Sequence, residues 1–211
     1  VAYRVESGPS DRIRFPGAGP FDQRLGYTDL PQHSLRLAEH GYAIAAQARI
    51  SPRTAELADL GLFPPYREKT QAGLVIKDCA NETLFDARYP QRIYNDFAAV
   101  PPLVVGTLLF IENRDLLSSP YPKQNPAIEW VRLARAVTDQ LISRFDPGHK
   151  RPGASTLATQ IEKYRHSPGG LTSSPEEKLR QMASASLRAY LDGEDTTAER
   201  HQLVVDYLNT V

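Results

Sequence analysis

Apolar and polar residues change rhythm between the two halves of this chain. Residues 1–30 are rich in Gly, Pro, Arg and Asp without a sustained period, which predicts irregular structure. From Ser34 to Ala48, Leu35, Leu37, Ala38, Tyr42, Ile44 and Ala45 predict a helix interrupted at Gly41. Pro52–Leu60 reads as a short helix opened by proline. Gly73–Lys77 and Thr83–Tyr89 lean towards strand around the polar turn Cys79-Ala80-Asn81-Glu82, predicting a β-hairpin.

After Pro101-Pro102 the spacing becomes helical. Leu103–Asn113 is strongly apolar and predicts a buried helix; Ser118–Gln124 reads as a loop. Asn125-Pro126 then suits a helix start, with Ile128, Val131, Ala134, Val137, Leu141 and Phe145 as its apolar stripe and Asp146-Pro147-Gly148 as its stop. A short basic loop follows, His149–Pro152. Ser174-Pro175-Glu176-Glu177 has the form of a capping box, and Leu179, Met182, Ala183, Ser186 and Tyr190 would face inward on the helix it opens. Thr196-Thr197-Ala198-Glu199 begins a last helix through Leu203, Val204, Tyr207 and Leu208. The expected class is α+β, mainly α: a mixed segment over residues 1–97 containing the hairpin, then a helical domain over 98–211.

Composition narrows the function classes. The chain has 211 residues, is 41% hydrophobic and carries no formal net charge, so it has a core but no bulk field to recruit nucleic acid. No apolar run is long enough to span a membrane. The single Cys79 cannot form an internal disulfide. Glu162 and His166 share a helix face, but no third ligand accompanies them, so they read as a solvated pair and no metal site is assigned.

The candidate chemistry lies in Gly153-Ala154-Ser155-Thr156-Leu157-Ala158-Thr159-Gln160-Ile161-Glu162-Lys163, a glycine-led loop turning into a helix. Ser155 or Thr156 suits the N-cap, and the free N–H groups beyond favour an anion. Thr156, Gln160 and Lys163, spaced i, i+4, i+7, place hydroxyl, amide and ammonium in one stripe.

This run resembles the second motif of the peptidoglycan glycosyltransferases (family 51), Gly-Gly-Ser-Thr-Ile-Thr-Gln-Gln-Leu-x-Lys-Asn. Gly153, Ser155, Thr156, Gln160 and Lys163 match; Ala154, Ala158, Thr159 and Tyr164 depart. The family's first motif, Glu-Asp-x-x-Phe-x-x-His, falls on Glu112-Asn113-Arg114-Asp115-Leu116-Leu117-Ser118-Ser119, where only the Glu is kept. Its third, Arg-Lys-x-x-Glu, falls on Glu177-Lys178-Leu179-Arg180-Gln181, where only Lys178 matches. Tyr207-Leu208-Asn209 is similar to a fourth element that the family places before further chain, so the helical domain is expected to be truncated at its C-terminus. The resemblance covers about residues 98–211.

The resemblance implies a lysozyme-like helical transglycosylase domain that polymerises or binds lipid II, the lipid-linked disaccharide diphosphate of cell-wall assembly. Glu112 would be the general base, its pKa raised by desolvation at the end of a buried helix. Lys163 and Lys178 would stabilise the diphosphate, and Asn113, Ser155, Thr156, Gln160 and Gln181 would contact substrate. Gln181 hydrogen-bonds but cannot carry a proton as the family's second carboxylate does. The alternative is a domain without turnover that binds or scaffolds in the bacterial envelope. The implied partners are lipid II or a glycan strand, a membrane surface and other cell-wall assembly proteins. The implied place is the periplasm or the extracytoplasmic face of the inner membrane. No organic cofactor is indicated; the resemblance allows a divalent metal.

Overall fold

The computed structural model describes residues 3–17, 19–129 and 155–211. Most of the helix expected from Asn125 to Phe145 lies outside them, as do the basic loop and Gly153-Ala154.

The N-terminal part is more ordered than its composition suggests. Strand β1 (Tyr3–Ser7) pairs antiparallel with β2 (Ala46–Ile50), Tyr3 opposite Ile50 and Ser7 opposite Ala46. Helix α1 (Pro20–Arg24) follows, and its Phe21 is buried. Helix α2 (Leu30–Glu39) stops at Gly41, whose φ of 83° only glycine adopts cheaply. The helix expected to resume after Gly41 does not: the chain turns into β2, because pairing with β1 outweighs a weak local helical pattern. Helix α3 (Pro52–Asp59) starts as expected, with Ser51 Oγ accepting from the Thr54 amide at 3.1 Å. The hairpin is present as β3 (Ala72–Lys77) and β4 (Thr83–Tyr89), Ala72 opposite Tyr89.

Four further helices are described: α4 (Pro102–Glu112), α5 (Leu157–His166), α6 (Pro175–Arg188) and α7 (Thr197–Thr210). Their core gathers Leu157, Ala158 and Ile161 of α5, Ala185 of α6, and Leu203 and Val204 of α7 around Leu116 and Ala127. Helix α4 forms where expected but none of its residues is buried; only the partly covered Val105, Leu108 and Leu109 touch the core. Helix α6 also departs from its apolar reading. Its buried positions are Glu177, Gln181, Ser184, Ala185 and Arg188, whereas Leu179 is exposed. Ser174 Oγ accepts from the Glu177 amide at 3.1 Å, but the Glu177 carboxylate bonds Ser167 and Arg180, so half of the expected capping box forms. At the end of α7, Asn209 clamps Tyr94, accepting from its amide at 2.9 Å and donating to its carbonyl at 2.8 Å. Helices with two small antiparallel sheets make this the mainly helical α+β fold expected.

Candidate functional site

The site is built from the start of α5 outward. Thr156 is its N-cap: its Oγ1 accepts from the Thr159 amide at 3.4 Å and donates to the Ala127 carbonyl at 3.1 Å. Thr159 Oγ1 accepts from the Thr156 amide at 2.9 Å, closing a capping box in which threonine replaces the usual Glu or Gln. Both hydroxyls are buried and serve to anchor the helix. Ser155, half-buried, stands just ahead of the cap.

One turn into α5, Gln160 Nε2 donates to Glu112 Oε2 at 2.6 Å. The carboxylate from the first motif position and the amide from the second, 48 residues apart, therefore meet. A charge-assisted bond of this length fixes the orientation of the carboxylate. Glu112 is the last residue of α4 and is half-buried, although the helix itself is not the buried one expected. Tyr207 of α7 closes the neighbourhood: burial, then the Glu112 charge and the Tyr164 hydroxyl, push its phenol above the ordinary tyrosine range. Lys163, one turn beyond Gln160, holds its ammonium 4.1 Å from the centre of the Tyr164 ring.

Beyond Glu112, buried Asn113 ends α4 and borders a cavity of about 570 Å³ lined also by Asp115, Ser118, Ser119, Tyr121, Gln124 and Asn125. These groups suit a hydroxylated, neutral ligand better than an anion. The cavity's Arg200 is spent on the carbonyls of Leu116, Tyr121 and Gln124, at 2.9, 3.1 and 2.8 Å, holding the loop in shape.

On α6 the third-motif positions behave differently. Gln181 is buried; its Nε2 donates to Ser167 Oγ at 2.9 Å and its Oε1 accepts from Thr172 Oγ1 at 3.0 Å. Ser167 in turn donates to Glu177 at 2.5 Å, so Gln181 and Glu177 tie α6 to the end of α5. Lys178 is half-buried on the same helix.

The opposite face of α5 carries a buried ion cluster that sequence reasoning missed. Glu162 accepts from Arg188 Nε at 2.5 Å. His166 Nδ1 lies 2.8 Å from Asp22 and its Nε2 2.9 Å from Glu68. Glu68 also meets Arg165 at 3.0 Å and Arg188 at 3.3 Å. The side chains of Asp22, Glu68, Glu162 and His166 are 1–3% exposed, so Glu162 and His166 are not the solvated pair expected. Burial alone would lower the His166 pKa, but Glu68 and the bonds to Asp22 and Glu68 outweigh it and raise it to about 9. Burial likewise opposes ionisation of Glu68, but Arg188, His166 and Arg165 hold its carboxyl far below the usual range. The spacing of Glu162, Arg165 and His166 on one helix face was the only sequence signal of this cluster, and it gave no hint of Asp22 or Glu68.

Among the described residues no cluster of His, Cys, Asp and Glu forms a metal site, and no helix is long and apolar enough to cross a membrane. No curated protein and no solved structure gives a significant match to the chain. A family model described as transglycosylase matches residues 80–211, which contain Glu112, Gln160, Lys163 and Gln181. That match spans well over half of the chain and agrees with the motif resemblance: the chain belongs to the transglycosylase family, whose members serve peptidoglycan glycosyl transfer.

Proposed function

We propose that this chain acts on a polyprenyl-diphosphate-linked disaccharide at the extracytoplasmic face of a bacterial inner membrane, with Glu112 as general base. The observation that carries this reading is the 2.6 Å bond from Gln160 to Glu112, which joins the retained acid of one motif to the best-kept helix of another. In the reaction an acceptor-sugar hydroxyl gives its proton to Glu112. Its oxygen bonds to the anomeric carbon of the donor while the bond to the diphosphate-lipid breaks, the electron pair leaving with the diphosphate. Lys163 and Lys178 offset the charge that develops there. Thr156 is committed to the cap of α5, which leaves the half-buried Ser155 just ahead of it as the polar group for a phosphate oxygen. The polar cavity beyond Asn113 suits a saccharide, and the glycan strand, the membrane surface and other wall-assembly proteins are its natural partners.

One observation favours slow or absent turnover, with binding or scaffolding as the retained role. Gln181 stands where the family has its second carboxylate and is held by Ser167 and Thr172. It takes no proton, and losing a positioned acid or base costs roughly 10²–10⁴-fold in rate.

Purified protein, assayed with fluorescent lipid II and with several divalent metals, is expected to give polymer, and Glu112→Gln to abolish it. Wild-type protein that captures lipid II but makes no polymer in any metal selects the binding reading. Capture should then weaken in Lys163→Ala, and unchanged capture counts against the helix-terminus site.

A further inference from the structure

Helix α5 presents two functional faces. Gln160, Lys163 and Tyr164 lie on the side that meets Glu112, whereas Glu162, Arg165 and His166 project from the other side into the ion cluster. The counter-charges on that second side come from Asp22 and Glu68, both outside the family match at residues 80–211.

We propose that Asp22 and Glu68 are positioning residues for the Glu112–Gln160 pair, setting the roll of α5 about its axis and so the place where Gln160 meets the carboxylate. The functional half of this proposal rests on reading Glu112 and Gln160 as the site; the structural half does not.

The docking is close and specific. At Gly19 a Cβ would lie 1.8 Å from the Arg165 carbonyl oxygen, so only glycine permits the approach of this segment to α5. Next to it, the Arg165 guanidinium sits 4.6 Å from the centre of the Phe21 ring. Asp22 uses one carboxylate oxygen on His166 and the other on the Gly19 amide at 3.1 Å, tying the start of α1 to the end of α5. Glu68 bridges three cations on α5 and α6. Buried charges held this way cannot slide by small steps, because each intermediate leaves an unpaired charge in a dry interior.

The protonation state of His166 also sets the charge of the cluster. Buried Asp22, Glu68 and Glu162, with Asp206 at 3.6 Å from Arg165, face Arg165, Arg188 and a protonated His166. His166 faces Asp22 of α1, Glu68 of the segment after α3, Glu162 of its own helix and Arg188 of α6 at 3.4 Å; Arg14 and Arg180 line the small cavity beside it. Removing its proton takes one of three cations from a cluster of four carboxylates and loosens the face opposite Gln160.

The test follows two resonances in the whole chain by NMR: the His166 ring and the Gln160 side-chain carbonyl carbon. In the wild type both should titrate with one midpoint near 9. In Asp22→Asn both midpoints should fall together towards the ordinary histidine range. Capture of lipid II at pH 8 should fall about tenfold in that variant, a typical coupling. Glu56→Gln, which removes an exposed ion pair with Arg53, should leave capture and both midpoints unchanged. A Gln160 signal that ignores the His166 titration overturns the proposal, and the wild type alone decides this if Asp22→Asn does not fold. Wild-type protein without capture defeats the site reading instead, while the paired midpoints still judge the coupling.

Discussion

Helices α4 and α6 invert the usual relation between composition and burial. Helix α4 reads Pro-Leu-Val-Val-Gly-Thr-Leu-Leu-Phe-Ile-Glu, yet buries none of its residues, with Leu103 82%, Phe110 67% and Ile111 69% exposed. Helix α6 is polar along most of its length, yet buries Glu177, Gln181, Ser184 and Arg188 at successive turns. What separates them is partners. The buried face of α6 is matched to Ser167, Glu162, the Phe63 amide and Glu68. A polar group enters the interior when its hydrogen-bonding capacity is met, and an apolar one stays outside when no described element packs on it.

The sharpest way to break this comparison is to remove a partner. Arg188→Met takes from buried Glu162 its hydrogen-bonded cation and from Glu68 one of three, and should cost about 3–5 kcal/mol in urea unfolding. Adding Glu162→Met should recover part of that loss. If it recovers nothing, the pairing is not what lets α6 bury polar residues.

The next effect is set by pH. The folded His166 pKa, about 9, lies above its unfolded value near 6.5. The stability it contributes is therefore complete below pH 6.5 and is lost as pH rises through 9, by roughly 3 kcal/mol over that window. Urea midpoints measured from pH 6 to 10 should decline across it. A flat profile would mean that the cluster tolerates a neutral imidazole.

The smallest effect belongs to α4. Leu103→Ser should change stability by no more than about 0.5 kcal/mol, because little of that side chain leaves water on folding. A loss of several kcal/mol would show that the apolar face of α4 is covered in solution, and the contrast with α6 would disappear.

The same contrast explains which parts of the structure were legible in the sequence. Elements specified by neighbours in the chain were readable: the helix opened by Pro52, the hairpin around Cys79–Glu82, and the cap at the head of α5. Glu112 and Gln160 were singled out by resemblance, and the fold brings them into contact. What escaped depends on distant segments. Pairing of β1 with β2 spans some forty residues, and the local pattern after Gly41 favoured a helix. The inward face of α6 was sought among Leu179, Met182 and Ala183, because apolar period is blind to polar residues whose partners lie elsewhere. Asp22 and Glu68 looked like ordinary charges in loop-rich sequence; only the docked fold turns them into buried counter-ions.

The clamp of Asn209 on Tyr94 has a consequence for how the chain is made. It closes a loop of 115 residues, so its two hydrogen bonds must offset the entropy of bringing those ends together. During synthesis Tyr94 and the apolar helix just after it emerge long before Asn209 exists. The anchor at the foot of α4 is thus set by nearly the last turn of α7. Until that turn leaves the ribosome, a stretch rich in leucine, valine and phenylalanine waits without it, which makes the nascent chain a natural client for chaperones.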